Sequence, residues 1–244
     1  MSERRQIFLL VGLTLAIALS AVILIISLPQ MTRSEDFVEN YKAIFYPNGT
    51  LIEKYTYHLR TSGHKFLYRT WEAPISSENI GEAYIEPIQV EVVRGAVGYY
   101  KDYRGRVFVE EPYRNDEKII NRIENSALRN ELGSYYPHTY QPGIYHLKFV
   151  FILHPPIEIE EDIAHLNLQL ANRHIPYRNV EILFKEARYI QEIYPHPPSL
   201  KVKTQKKDLL VTGSSGENSL LEVEMLISPG VTEELEGFQS EVDN

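Results

Sequence analysis

Residues able to bind a metal ion are concentrated in the segment "HPPIEIEEDIAH", which covers positions 154–165. His154, Glu158 and His165, with Glu161 beside them, would supply the imidazole nitrogen and carboxylate oxygen atoms that Zn²⁺ accepts. Their spacing matches no zinc signature, and a Pro-Pro pair separates the first histidine from the rest. The alternative is a group of solvated acids beside a sheet histidine, in a protein without a metal or any other cofactor.

Tyrosines are concentrated in the segments "GYYKDYRG" and "SYYPHTYQPG". On loops, they could stack on sugar rings or dock a partner, because each ring combines apolar area with a hydroxyl group. The alternative is that they cover strand ends and hold the loops against the core. The candidates for a binding surface are Tyr99, Tyr100, Tyr103, Tyr135, Tyr136 and Tyr140.

Asn48 belongs to two overlapping patterns in "FYPNGTLIEKYTYHLR". Asn48-Gly49-Thr50 is an acceptor sequence for an N-linked glycan, and Asn-Gly between two strand-like segments is also typical of a tight turn. The two interpretations are compatible if this segment lies outside the cytoplasm. Asn48 is therefore a glycosylation candidate at a predicted turn.

Arg69 and Trp71 in "YRTWE" could form a recognition pair, through stacking or a contact with a carboxylate. The alternative, which is more common in a β protein, is a core tryptophan beside a structural arginine. The two interpretations differ in whether the arginine reaches a ligand.

No catalytic signature accompanies these residues. The sequence contains no nucleophile elbow, phosphate-binding loop or dinucleotide fingerprint, so we assign no catalytic residue and predict that the chain is not an enzyme. The formal net charge of −8 argues against a nucleic-acid partner, whose phosphates require a basic surface. Cysteine is absent, which excludes disulfides and thiolate-bound metals.

Alternation of apolar and polar residues predicts β-strands over most of the chain. In "TLIEKYTYHL", Leu51, Tyr55, Tyr57 and Leu59 fall on one face, which Glu53 interrupts. The pattern in "IAHLNLQLA" is strict, with its alanine and leucines expected to face inward. About ten such segments predict an all-β, sandwich-like domain.

One segment, "NDEKIINRIENSALRNELG", has the apolar spacing of a helix inserted among the strands. Asn115 or Asp116 is suited to cap its N-terminus, and Gly133 to close its C-terminus. We therefore expect one helix between the two halves of the β region.

The N-terminal segment predicts a membrane anchor. Residues 7–28 carry no charge, and as a helix they would span about 33 Å, enough for a hydrocarbon core of about 30 Å. A cleaved signal peptide is less consistent with this apolar length and with the absence of a small-x-small cleavage site. Arg4 and Arg5 favour an inside N-terminus, which would place residues 33–244 outside the cytoplasmic membrane.

The chain resembles a family of predicted membrane proteins from archaea and bacteria that is labelled a domain of unknown function. The resemblance rests on the anchor followed by "VENYKAIFYPNGTLIEKYTYHL" and "FLYRTWEAPI", and on "NRIENSALRNELG" and "HIPYRNVEILF". It covers roughly residues 36–227 and implies no assigned chemistry. Members of this family commonly continue into further membrane spans, so this chain is expected to be a short or truncated member.

These observations predict a membrane-anchored envelope protein that binds or scaffolds an envelope protein or a glycan. The rival prediction is a metal-dependent envelope hydrolase that uses His154, Glu158 and His165. A sensor or assembly component is a third possibility. The predicted order is a cytoplasmic tail (1–6), an anchor that contacts the bilayer (7–28), a linker (29–36), a β domain (37–228) with a possible break near 113–142, and a flexible acidic tail (229–244).

Overall fold

Strands dominate the chain because branched and aromatic residues alternate with polar residues along much of its length. The computed structural model describes Thr14 and residues 35–71, 84–160, 162–230, 235 and 238–241. Within them lie β1 Phe37–Phe45, β2 Thr50–Leu59, β3 Phe66–Thr70, β4 Tyr84–Glu91, β5 Val97–Lys101, β6 Val107–Val109, β7 Glu131–Tyr135, β8 Gly143–His154, β9 Pro156–Glu160, β10 Ile163–Ala171, β11 Tyr177–Phe184, β12 Ile190–His196, β13 Lys201–Gln205, β14 Asp208–Ser215, β15 Leu221–Ile227 and β16 Phe238–Glu241. The prediction of a mostly β chain is confirmed.

The described strands form three sheets. A seven-stranded sheet has the order β13-β14-β11-β1-β2-β8-β4, a five-stranded sheet the order β12-β15-β10-β9-β16, and a four-stranded sheet the order β3-β7-β5-β6. Pairing is antiparallel except between β1 and β11 and between β9 and β16. All these strands belong to one compact unit, Asp36–Asn244.

The core forms where the predicted inward faces meet. Leu51, Tyr55, Tyr57 and Leu59 of β2 are all buried, as are the alanine and the three leucines of β10 that were expected to face inward. Buried side chains from all three sheets belong to one apolar cluster. Glu53 is buried in the same row of β2, so the predicted interruption is a charge inside the core.

One short helix, α1, covers Glu117–Glu124 and packs on the four-stranded sheet. The Asp116 side chain accepts hydrogen bonds from the backbone amides of Lys118 and Ile119, which confirms the predicted cap. The expectation that Gly133 closes the helix is wrong, because this residue lies in β7. A Cβ atom at Gly133 would overlap the ring of Tyr99, so glycine is needed there for close packing between strands.

The two ends of the chain differ in what the structure describes. The predicted anchor, residues 7–28, lies outside the described residues apart from Thr14, and no helix within the described part is long and apolar enough to cross a bilayer. Within the predicted acidic tail, Phe238–Glu241 pairs with β9 as strand β16. This pairing satisfies backbone groups that β9 would otherwise expose at the sheet edge.

Candidate functional site

The centre of the candidate site is an ion pair between Glu53 on β2 and Arg69 on β3. The Arg69 Nε atom donates to Glu53 Oε2 at 2.9 Å. The Arg69 side chain is 2% exposed and the Glu53 side chain is 0% exposed. The Tyr41 hydroxyl donates to the other carboxylate oxygen at 2.7 Å. Strand alternation directs Glu53 inward, and the arginine compensates its charge. The pair thereby joins the seven-stranded sheet to the four-stranded sheet.

Aromatic rings surround the Arg69 guanidinium. Its central carbon lies 4.7 Å from the centre of the Trp71 ring and 5.3 Å from that of Phe151, within the range of a cation–π attraction. Its Nη2 atom reaches the carbonyl oxygen of Gln169 only at 3.5 Å, and Nη1 has no hydrogen-bond partner among the described residues. Trp71 is buried, which confirms the interpretation of a core tryptophan beside a structural arginine. The arginine nevertheless retains donors that the described part of the chain does not satisfy.

Burial and mutual charge determine the protonation states of this group. Burial lowers the pKa of Arg69, but the adjacent Glu53 carboxylate offsets this effect and the net pKa is raised. Burial raises the pKa of the Tyr41 hydroxyl well above its ordinary value of 10.0, and the Glu53 charge adds to the increase. Arg69 is therefore a permanent cation here, and Tyr41 a permanent hydrogen-bond donor.

A cleft of about 340 Å³ opens beside the ion pair. One wall is β3, including Tyr68, Arg69 and Thr70, and the other is formed by residues 169–175, at the end of β10 and in the loop that follows. Two of the lining side chains are largely exposed: Tyr68 is 49% exposed and Leu128 is 54% exposed. The cleft therefore has apolar surface available for contact. Its volume lies within the range of about 300–1,000 Å³ that is usual for ligand sites.

At one end of the cleft, Asp36 organises the turn after β2. Its carboxylate accepts the backbone N–H groups of Arg60 and Thr61 at 2.6 and 3.0 Å and the Thr61 hydroxyl at 2.6 Å. His64 also contacts this turn, and it does so through one ring nitrogen. Its Nε2 atom lies 2.7 Å from the Asp36 carboxylate and 3.2 Å from the Thr61 hydroxyl. A catalytic relay would use different imidazole nitrogens for the hydroxyl and the carboxylate, so these groups stabilise the turn.

His174 lines the opposite wall of the cleft and is held by the backbone. Its Nδ1 atom lies 2.6 Å from the carbonyl oxygen of Ile175, and its Nε2 atom lies 2.7 Å from that of Ser219. The Ser215 hydroxyl is farther away, 3.3 Å from Nε2. Both nitrogens therefore face carbonyl oxygens, which leaves neither positioned to activate the serine.

Most of the tyrosines proposed for binding are core residues. Tyr103 and Tyr136 keep partial exposure, while the other four are buried on β5 (Tyr99, Tyr100), on β7 (Tyr135) and in the loop after β7 (Tyr140). Their hydroxyls are used internally: that of Tyr99 donates to Glu131 and that of Tyr100 to the carbonyl of Ile85, each at 2.5 Å. All six are described, and none lines the cleft.

Asn48 lies in the turn between β1 and β2, and its side chain is exposed. Its Oδ1 atom accepts the Thr50 N–H group at 3.1 Å, and Gly49 has a φ of +80°. The predicted turn is therefore confirmed. The exposed amide is accessible to modification, and glycosylation stays a prediction.

The two histidines of the first metal hypothesis belong to different sheets. His154 ends β8 in the seven-stranded sheet, where its buried ring stacks on Tyr84 at a centroid distance of 4.2 Å. His165 lies on β10 in the five-stranded sheet, directly across from Glu158 of β9. The hypothesis would therefore require ligands from separate sheets.

A different group with metal-binding side chains comes together on the five-stranded sheet. His196, Glu222 and Glu224 each offer a ligand atom within 4.8 Å of the others. The sequence spacing gives no sign of this group, since His196 is separated from the two glutamates by two strands and their turns. Only the sheet register brings β12 beside β15.

The fold and the cleft together define a mostly β domain with a ligand-sized cleft beside a buried ion pair. The chain belongs to the DUF2207 family, since residues 37–227 match the profile described as "Predicted membrane protein (DUF2207) N-terminal domain". This match confirms the resemblance seen in the sequence. Membership in a family of predicted membrane proteins implies association with a lipid bilayer.

Other comparisons give only distant similarity. No curated protein matches the chain. A mutant M1 zinc metallopeptidase from Deinococcus radiodurans, bound to a Tyr-Ser-Ala substrate, is similar with 8% identity and a TM-score of 0.42, over 78% of this chain and 42% of that chain. Another structure of the M1 zinc metallopeptidase from that organism gives 8% identity and a TM-score of 0.41, over 81% of this chain and 44% of that chain. The chain thus spans less than half the length of these peptidases.

Proposed function

We propose that this chain is a single-span protein of the cytoplasmic membrane that binds an extended peptide segment of an envelope protein. In this proposal residues 7–28 form the anchor, the N-terminus is inside, and residues 33–244 form a sandwich-like domain outside. The peptide lies in the cleft beside Arg69 and pairs with β3. The role is binding or scaffolding rather than catalysis.

The outer edge of β3, which pairs with no strand in the described part of the chain, is the observation that carries this proposal. The Trp71 N–H group donates to Asn130 at 2.8 Å, and the Lys65 carbonyl accepts from Tyr136 at 2.8 Å. Because backbone bonds alternate along an antiparallel strand, the N–H and C=O groups of the even-numbered residues 66, 68 and 70 point away from β7. No described strand pairs with that edge. Such an edge can accept another strand.

The opposite wall of the cleft also has a stretch that lacks a described strand beside it. Strand β9 pairs with β10 only over Ile163–Leu166, so residues 167–171 have no described strand on that side. The Gln169 carbonyl there faces Arg69. A peptide between the two walls would meet backbone groups and the exposed apolar surface of Tyr68 and Leu128.

These features favour a peptide over a glycan. Backbone groups spaced along a strand match the spacing of another peptide backbone, which gives affinity without requiring a particular sequence. A sugar would instead be recognised by exposed rings, and four of the six tyrosines considered for that role are buried. The polar side chains of the cleft already serve as structural partners, which favours binding over catalysis.

Site-specific photo-crosslinking in native membranes tests this proposal. A photoreactive amino acid replaces Tyr68 on β3 or, as the control, Phe108 on β6, which is also 49% exposed and lies on the opposite edge strand of the same sheet. We expect one protein to be crosslinked reproducibly at position 68 and not at 108. Equal capture at both positions, or none at position 68, would overturn the proposal.

The crosslinked segment, made as a synthetic peptide, then tests strand pairing on the full chain in detergent. N-methylation at alternate peptide bonds removes the donors on one side of the peptide only. We expect one set of methylated bonds to abolish binding and the other to leave it nearly unchanged, since only one side of a strand faces β3. Equal effects of the two sets would rule out strand addition.

A further inference from the structure

The outward face of the five-stranded sheet carries two glutamates and two histidines on three adjacent strands. Glu222 and Glu224 are two residues apart on β15, and Val223 between them is buried in the core, so both glutamates face outward. His196 of β12 lies directly across from Glu222. His165 projects from the other neighbour, β10. Three strands therefore contribute to one cluster.

The cluster is already close to the geometry of a metal site. The Glu224 carboxylate lies between the two imidazoles, with Oε1 3.1 Å from His196 Nε2 and Oε2 4.0 Å from His165 Nε2. Ligand atoms of His196, Glu222 and Glu224 lie within 4.8 Å of one another. Bond lengths of about 2.0–2.1 Å place the ligands of a tetrahedral zinc site roughly 3.3 Å apart. Rotamer adjustments of about an ångström would therefore complete the site.

The surroundings of the cluster favour a cation. Glu222 is only 6% exposed, and it shares one face of β15 with Glu224, so the two acidic side chains lie close together in a partly desolvated position. The Asn167 side chain hydrogen-bonds to Glu222, while its own buried Oδ1 atom has no hydrogen-bond partner in the described part of the chain. A cation would neutralise the paired carboxylates and offer this neutral oxygen an electrostatic partner.

We propose that His196, Glu222 and Glu224 bind one divalent first-row transition-metal ion, with Zn²⁺ as the best match. His165 is placed to supply a fourth ligand or to orient Glu224. Imidazole nitrogen favours zinc over Mg²⁺ and Ca²⁺, which prefer oxygen-only ligand sets. This site is independent of the peptide cleft, because none of its ligands lines that cleft.

Metal titration of the full chain in detergent tests the site. After treatment with EDTA and removal of the chelator, calorimetric titration with Zn²⁺ is expected to show one equivalent bound, and excess Mg²⁺ is expected not to compete. Co²⁺ in place of zinc should give visible absorption bands of a low-symmetry site with nitrogen and oxygen ligands. Absence of stoichiometric zinc binding would overturn the proposal.

Matched substitutions connect the binding to these residues. His196→Gln and Glu224→Gln are each expected to weaken zinc binding by at least about tenfold, since changes even in outer-shell partners cost that much. His146→Gln is the control, because His146 is an exposed histidine on β8 of another sheet. Circular dichroism confirms that each variant is folded. Unchanged affinity in both cluster variants, or an equal loss in the control, would assign the zinc to another site.

Discussion

Arg69 donates to Glu53 across 2.9 Å in a position where neither side chain meets solvent. The two residues come from strands of different sheets, so the ion pair is a direct polar contact between those sheets. Both charges lost hydration on folding, so each depends on the other for compensation. A change at either position therefore affects both β2 and β3.

Removal of one partner should expose this dependence. We expect Arg69→Met to destabilise the fold by about 3–5 kcal/mol, because Glu53 would remain buried without its counter-charge. Denaturant unfolding followed by fluorescence measures the loss, and Trp71 is a suitable reporter because it is the single tryptophan in the sequence.

Two further variants separate this effect from a loss of packing. Glu53→Leu combined with Arg69→Met should recover part of the stability that Arg69→Met loses, since no charge remains unpaired. Lys42→Met removes an ion pair with Glu181 in which both side chains are about half exposed, and it should cost less than about 1 kcal/mol. Similar losses from Lys42→Met and Arg69→Met would contradict this account.

Asp36 should make stability depend on pH in the acid range. Burial raises the pKa of Asp36, but hydrogen bonds from Thr61, Arg60 and His64 outweigh it and bring the pKa below its ordinary value of 3.8. The folded state therefore binds this proton more weakly than the unfolded state. The resulting stabilisation is present above pH 3.8 and is lost as the pH falls through the lowered pKa.

Asp36→Asn is the variant that reveals this contribution. It should be less stable than the wild type at neutral pH, and the difference should shrink as the pH falls through the acid range. Denaturant midpoints measured across that range test the expectation. A difference that stays constant down to the lowest pH would show that the aspartate acts without a change in proton affinity.

Gly49 and Gly63 allow a comparison of backbone strain with steric overlap. Both have positive φ, but a Cβ atom at Gly49 would lie 2.7 Å from the Leu153 carbonyl oxygen, whereas at Gly63 no atom lies within 4 Å. Gly63→Ala should cost about 1–2 kcal/mol from backbone strain alone. Gly49→Ala should cost clearly more, as measured by thermal unfolding. Equal losses would mean that the β1–β2 turn moves away from β8 without penalty.

The proposed topology predicts that the β domain can be reached from outside the cell. A C-terminal tag should be cleaved by protease added to intact cells, and in a host that glycosylates such sites, a glycan mass should appear on Asn48 and disappear in Asn48→Gln. If the tag is protected until the cells are lysed, the β domain lies on the cytoplasmic side and the proposed orientation is wrong. A cleaved tag without a glycan would leave Asn48 as a turn residue only.

Local patterns predicted the strands, the capped start of α1 and the Asn48 turn, because each depends on residues that are close in sequence. The pattern in β2 also located Glu53 on the inward face, although it could not identify the partner that makes burial of this charge possible. Helical spacing extended the predicted helix to Gly133, whereas packing of Tyr99 against that glycine places it in a strand. The abundance of tyrosine suggested a binding surface, but most of these rings fill the core.

By itself, the sequence determined which faces of the strands are apolar, since side-chain alternation is a local property of an extended backbone. It also carried the family pattern that residues 37–227 match. Only the tertiary structure decided that Glu53 meets Arg69, that one edge of β3 beside the cleft pairs with no described strand, and that His196 reaches Glu222 and Glu224. These relationships depend on the order and register of strands that are distant in sequence, which the local alternation of residues does not encode.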